Sequence, residues 1–108
     1  QDGINLIAEK IDAESADMVR DLSFQLKNQV ENLYLVIGAI FGDKANLTIM
    51  ISDNLVKNRK LDAGKIVQEA AKEIGGGGGG QPFFATAGGK NLKGIDGAIQ
   101  KAVEWINV

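Results

Sequence analysis

The 108-residue sequence contains no cysteine and no histidine. Those two absences remove a thiol nucleophile, a disulfide, an imidazole base and the usual Cys/His zinc site together. Only carboxylates, lysines and hydroxyls are left for chemistry, so catalysis within this segment is the less favoured reading. An all-oxygen calcium or magnesium loop needs closely spaced carboxylates, and the spacing Asp-x-Asp-x-Asp-Gly does not occur. No apolar run approaches about 20 residues, so no segment has the length of a transmembrane helix. Gln1-Asp2-Gly3 has no basic flank and no cleavage-like segment, which predicts no signal peptide. The missing initiator Met suggests a piece of a longer protein.

What is present fits one soluble globular domain. The apolar fraction is 44% and the charged fraction 24%, both ordinary. A chain of this length buries roughly 65% of its unfolded surface, enough for a core without metal or disulfide. The net charge of −2 argues weakly against nucleic-acid binding, but it hides an asymmetry. Residues 1–53 carry nine acidic and four basic side chains, and residues 54–108 carry five acidic and eight basic ones. The halves are therefore −5 and +3, which suggests that one side of the molecule faces an anion.

Ile4 to Ile11 alternates partly and reads as a strand. Asp12 offers an N-cap to a helix running to about Val30, with Met18, Val19, Leu22, Leu26 and Val30 as one apolar stripe. Phe24 falls off that stripe and is expected at the surface, the alternative being contact with a neighbouring domain. Leu33 to Phe41 is almost continuously apolar, as in a central strand covered on both faces. Gly42-Asp43-Lys44 is turn-like, and Asn46 to Ser52 alternates, predicting a hairpin. A basic patch of Lys57, Arg59 and Lys60 follows. A helix is predicted over about Asp62 to Ile74 on Ala63, Ile66, Val67, Ala70 and Ile74, with Gly75 as its C′ residue. Phe83 to Ala87 reads as a short strand. Ile95, Ile99, Ala102 and Ile106 mark a final helix that ends with the chain, weakened by Gly94 and Gly97 at about 1 kcal/mol each relative to Ala.

Gly75 through Gly80 are six glycines in succession. A flexible linker is one reading, but the 28 residues beyond the run are too few for an independent core. The run therefore joins parts of one fold, as an ordered turn leading into a strand. Such a run can gather backbone N–H groups around an anion, or it can let two backbones pack closely with no ligand. It lacks the Lys-Ser/Thr of a phosphate loop, since Gln81-Pro82 follows, and it precedes a strand rather than opening a helix. A second glycine turn, Gly88-Gly89, is followed by Lys90. With Lys57, Arg59, Lys60 and Lys65 nearby in sequence, the two turns make a joint anion candidate. The predicted architecture is a single compact α/β domain, a mixed sheet of about four strands with three helices, in the order β-α-β-β-α-β-α.

The segments Ala63-Gly64-Lys65-Ile66-Val67, Ala70-Ala71-Lys72-Glu73-Ile74 with the glycine run, and Gln81-Pro82-Phe83-Phe84-Ala85-Thr86-Ala87-Gly88-Gly89-Lys90 closely resemble the C-terminal, DHH-associated domain of bacterial alanyl-tRNA synthetases. The same domain occurs in DHH-family phosphoesterases and exonucleases. Those nucleases commonly place a His after a shorter glycine turn, and its absence here favours the synthetase branch. The resemblance implies a cytoplasmic, non-catalytic module that contacts the outer corner of tRNA, alanine-specific by resemblance, and links the aminoacylation and editing centres. It implies no cofactor in this domain, with ATP, magnesium and zinc belonging to other parts of the parent. Implied partners are tRNA, the parent's other domains and a second copy in a homodimer, with no membrane. Gly75–Gly80 and Gly88-Gly89 are the family's signature positions. Gln81 stands where a basic residue is common and Phe83 where an Asp is common, and the first departure removes one phosphate contact. The nucleic-acid-binding candidates are Gly75, Gly76, Gly77, Gly78, Gly79, Gly80, Gln81, Gly88, Gly89, Lys57, Arg59, Lys60, Lys65 and Lys90, with no catalytic or metal-binding residue. The rival readings are the substrate-binding lobe of a DHH phosphoesterase and a purely structural or dimerisation module.

Overall fold

A strand that is apolar at nearly every position needs cover on both faces, and β2 (Leu33–Phe41) has it, with Leu33 to Ala39 buried. The computed structural model describes residues 3–12 and 15–107. β1 (Asn5–Asp12) pairs with β2 in parallel, from Asn5↔Leu33 to Asp12↔Ile40. Parallel neighbours need a crossover, supplied by helix α1 (Ala16–Gln29). β3 (Lys44–Ile51) returns antiparallel through a tight turn in which Gly42 takes φ 60°. β4 (Gly77–Gln81) and β5 (Phe84–Gly89) complete one five-stranded mixed sheet in the order β1-β2-β3-β5-β4. The α/β reading therefore holds, with five strands in place of four.

The fourth helix arises just after β3. Asp53–Arg59, which includes Lys57 and Arg59 of the basic patch and for which no helix was predicted, forms α2, and Lys60 ends it in the left-handed region at φ 56°. The helix predicted over residues 62–74 is α3 (Ala63–Ala70), tightening into a 3-10 turn over Ala71–Ile74. Gly75 closes it at φ 66°, as expected of a C′ glycine. α4 (Ile95–Glu104) is the last helix, followed by a 3-10 turn over Trp105–Asn107. Val108, where the final helix was expected to end, lies outside the described residues. Gly94 stands in a 3-10 turn (Leu92–Gly94) ahead of α4 and does not weaken it from within.

The two faces of the sheet carry separate cores. α2, α3 and α4 cover one, where Tyr34, Val36, Leu47, Ile49 and Ile51 meet Ile66, Ile74 and Ile95. The Tyr34 hydroxyl donates to the Ala102 carbonyl at 2.7 Å, pinning the end of α4 to β2. α1 covers the other face over Leu33, Leu35, Ile37, Ala39 and Met50.

Three expectations about α1 need correction. Asp12 does not cap it, because the ladder with β2 continues through that residue. The cap is Ser15, whose Oγ accepts from the Met18 N–H at 3.2 Å, and the expected helical positions 13 and 14 lie outside the described residues. The apolar stripe is rolled relative to the prediction: Met18 and Leu22 stay 46% and 36% exposed, while Val19 and Ser23 are buried. Ser23 tolerates this because its Oγ donates to the Val19 carbonyl at 2.8 Å. Phe24 is half-buried instead of lying open at the surface. Its ring lies 5.3 Å from that of Phe84, under the part of the sheet that β5 adds.

Candidate nucleic-acid interface

Glycine is a poor strand former, so a strand made of it must be held by its neighbours. Gly77 to Gln81 pair with Gly88 back to Phe84, and α3 lies against them: Gly64 in its first turn approaches the Gly80 carbonyl, and Gln68 approaches Gly79. The run is thus an edge strand entered through one left-handed residue, Gly75, rather than a turn. Apart from Gly75, only Gly80 in the run has a positive φ, at 158°. The expected second glycine turn is corrected too. Gly88 and Gly89 end β5, paired with β3 through Asn46↔Gly88 and Ala45↔Gly89.

The glycines divide into two sets. A Cβ at Gly76 would fall 1.8 Å from the Gly88 carbonyl oxygen, one at Gly78 2.1 Å from that of Thr86, and one at Gly80 2.6 Å from that of Phe84. At Gly89 it would meet the Ile74 carbonyl oxygen at 2.1 Å. These four let backbones pack together. At Gly77 a Cβ would meet nothing within 4 Å, at Gly79 only the Gln68 amide at 3.7 Å, and at Gly88 only the Ala45 carbonyl at 3.8 Å. Gly77 and Gly88 are cross-strand partners, and Gly79 is two residues along from Gly77. Both readings of the run therefore have material: close packing accounts for the crowded set, and the uncrowded set leaves backbone bare for no steric reason.

Basic side chains stand at both ends of this edge. Lys44 and Lys90 line a recess of about 270 Å³ with Gly88 and Gly89. Beyond Gln81, at the far end of β4, Lys60 and Lys65 line a second recess with Pro82 and Trp105, and Arg59 and Lys60 line a third that adjoins it at Trp105. The four steps of ~3.4 Å between its five residues put the two ends of β4 about 14 Å apart. Lys57 is exposed on α2 and lines none of these recesses, and Gln81 is exposed at the end of β4. Lys10, Lys27, Lys72 and Lys101 are held in ion pairs with Asp96, Asp53, Glu69 and Glu73. Among the described residues, Lys44, Lys57, Lys60, Lys65 and Lys90 make no such pair.

The amino end of α3 adds no anion site. Asp62 Oδ1 accepts from the N–H groups of Gly64 at 2.9 Å and Lys65 at 3.4 Å, and the Ala63 N–H donates to the Pro82 carbonyl at 2.8 Å. Among the described residues no three carboxylates gather in a way that would hold a metal ion, and no helix is long and apolar enough to cross a membrane. Sequence reasoning missed Lys44 and Trp105. Lys44 belongs to the acidic half and reaches Lys90 only through the β3–β5 pairing. Trp105 meets Lys60 and Lys65 from 40 or more residues away, with no local pattern to signal it.

The arrangement can be compared with known proteins. The chain is 49% identical to the alanine–tRNA ligase of Christiangramia forsetii over 104 residues, 96% of this chain and 12% of that protein. It is 53% identical to the Bacteroides fragilis alanine–tRNA ligase over 94 residues, 86% of this chain and 11% of that protein. The chain thus spans only about an eighth of these relatives. Its fold matches the crystal structure of the C-Ala domain from Aquifex aeolicus alanyl-tRNA synthetase with a TM-score of 0.80 and 26% identity, covering 90% of this chain and 86% of that one. The sequence profile of the DHHA1 domain matches residues 3–108, and the chain belongs to that family.

Proposed function

We propose that this chain is the non-catalytic, tRNA-binding C-terminal domain of an alanine–tRNA ligase, holding the outer corner of the tRNA while aminoacylation and editing proceed elsewhere in the ligase. The observation that carries the reading is the bare backbone at Gly77, Gly79 and Gly88, ended on both sides by lysines without ion pairs. Backbone amides and lysines reach phosphate and ribose and carry little sequence code, so recognition follows the shape of folded tRNA more than base identity. Gly75 to Gly80, Gln81, Gly88, Gly89, Lys57, Arg59, Lys60, Lys65 and Lys90 remain the proposed contact region, and Lys44 joins them. The domain works without a cofactor of its own; ATP, magnesium and zinc act in other parts of the ligase. Further partners are those other domains and a second copy of the chain, in the cytoplasm. The ligase names of its relatives favour this reading over the substrate lobe of a phosphoesterase.

The test is a titration of intact tRNA, denatured tRNA and an equally long duplex at two salt concentrations. With few lysines and a net charge of −2, about two to four phosphate contacts are expected, each giving a log–log salt slope of about −0.7 to −0.9. Intact tRNA should bind best. The double variant G77A/G79A should keep the fold and weaken tRNA binding, since two methyls hold a phosphate off the backbone. Equal affinity for all three nucleic acids reduces the reading to generic electrostatics. Unchanged tRNA affinity in both G77A/G79A and K44E/K90E defeats it and leaves a packing module.

A further inference from the structure

Trp105 is the one tryptophan of the chain and remains 37% exposed. An exposed indole at a helix end needs no explanation by itself, but its surroundings do. Two adjoining recesses, of about 230 and 270 Å³, share Lys60, Leu61 and Trp105. Each is smaller than the ~300 Å³ at which pockets for drug-sized ligands begin, so each suits one planar ring and excludes a helix. Leu61 and Val56 supply apolar walls, and Lys60 and Lys65 supply cations; among the described residues lining the two recesses the one carboxylate is Asp62, which already caps α3. Lys60 is held at φ 56°, a backbone state that disfavours any side chain and that glycine would adopt freely. Lys60 lines both recesses together with Trp105.

Resting on the RNA-binding reading above, we propose that Trp105 is a stacking platform for one unpaired nucleobase, whose flanking phosphates are met by Lys60 and Lys65. Every base has a π-face that an indole can stack on, and cations beside the ring suit the phosphates on either side of the base. This site differs in kind from the glycine edge. The edge offers backbone to phosphate and ribose, whereas Trp105 requires a base out of its helix, so the domain would grip a place where a paired and an unpaired segment of RNA lie side by side.

Because the chain has one tryptophan, its fluorescence reports on this site alone. The probes are a 5′-phosphorylated ribotrinucleotide, an abasic trinucleotide of equal charge, a blunt RNA duplex and intact tRNA. The trinucleotide and tRNA should quench Trp105, while the abasic strand and the duplex should leave it unquenched. Trp105→Ala should lower affinity for the trinucleotide about 5- to 150-fold, the equivalent of ~1–3 kcal/mol for one stacked base. Trp105→Phe, which keeps an aromatic face and protects against loss of packing, should restore most of that loss, and K60E/K65E should reduce the quenching by the trinucleotide. Equal quenching by the abasic strand, or unchanged affinity in W105A, overturns the inference. Quenching by an acidic peptide and by no nucleic acid does the same and assigns the recess to a protein partner. If K44E/K90E weakens tRNA binding while W105A leaves it intact, the stacking site falls and the glycine-edge reading stands. If tRNA neither binds nor quenches, both fall.

Discussion

Alanine substitutions along the glycine run should alternate in effect, because the crowded and uncrowded positions alternate. In G78A the new methyl carbon would lie 2.1 Å from the Thr86 carbonyl oxygen, 2.5 Å from the Ala87 Cα and 2.7 Å from the Ala87 Cβ. Two of those neighbours are backbone of β5, itself paired on its far side with β3, so they cannot swing aside as a flexible side chain would. Relief requires β4 to move away by about an ångström, which breaks its pairing with β5. Overpacking of a rigid site costs about 1–3 kcal/mol, and a backbone clash belongs at the upper end. At about 4–8 °C per kcal/mol for a domain of this size, G78A should melt at least 8 °C below the parent. G76A should behave likewise, with its contact at 1.8 Å to the Gly88 carbonyl.

G77A meets open space, and Gly77 is not among the residues of positive φ. There alanine should stabilise by about 0.4–1 kcal/mol, by restricting the unfolded chain. G79A has a single ordinary contact at 3.7 Å and should be close to neutral. The assay is urea and thermal denaturation followed by circular dichroism on the five purified proteins. A uniform effect across positions 76 to 79 would refute the division into crowded and uncrowded glycines. It would also remove the basis for reading Gly77 and Gly79 as positions kept bare for a ligand.

Alkaline stability should depend on Tyr34. Burial pushes its hydroxyl well above the usual tyrosine range, so the unfolded chain ionises near pH 10 while the folded one stays protonated. Stability is therefore fully present below about pH 10 and falls above it, by up to about 1.4 kcal/mol per pH unit from this residue. Urea titrations at pH 7 and 10.5 should show the drop in the parent and a smaller one in Y34F, which itself loses about 1 kcal/mol with the bond to the Ala102 carbonyl; an equal drop in both proteins would assign it elsewhere. With no histidine, the curve from pH 5 to 8 should be flat. Lys60→Gly should raise stability by about 0.5–1 kcal/mol because it relieves the left-handed backbone, while weakening tRNA binding; a loss of stability on denaturation would show that the Lys60 stem packs. Phe24→Ala should cost about 1–3 kcal/mol, since the half-buried ring packs against Phe84, and a melting point unchanged from the parent would count against that contact.

The parts of the fold that were legible in the sequence are those where side chains state their surroundings. The continuous apolar run of β2, the alternation of β3 and the helical register of Ala63, Ile66, Val67 and Ala70 each name their own burial. The glycine strand was not legible, because a residue without a side chain carries no periodicity. What makes Gly77 to Gln81 a strand lies in β5 on one side and α3 on the other. Phe24 was misplaced for a different reason: its partner, Phe84, stands in a strand 60 residues further on, and no local pattern says which face of that strand α1 covers. α2 was hidden for another reason, since a seven-residue helix with Leu55 as its only fully buried side chain shows almost no stripe.

The candidate site divides along the same line. Runs of glycine and lysine are visible in a sequence, but whether a glycine is crowded depends on a carbonyl from another strand, and whether a lysine is paired depends on a carboxylate from another element. Eight basic residues beyond position 53 gave an apparent anion-facing half. Among the described residues the fold holds Lys72 and Lys101 of this group in ion pairs, and it brings Lys44 across from the acidic half to line one recess with Lys90. The distribution of charge along the chain is therefore a poor guide to its distribution in space. What survives folding is narrower: unpaired lysines lining recesses at the two ends of a strand that has almost no side chains and is itself about 14 Å long. That spacing commits the interface to an extended polyanion, because a single bound phosphate could engage only one end. Inorganic phosphate should accordingly compete poorly with tRNA at equal ionic strength, whereas an oligomeric polyanion long enough to bridge Lys44 and Lys65 should compete well.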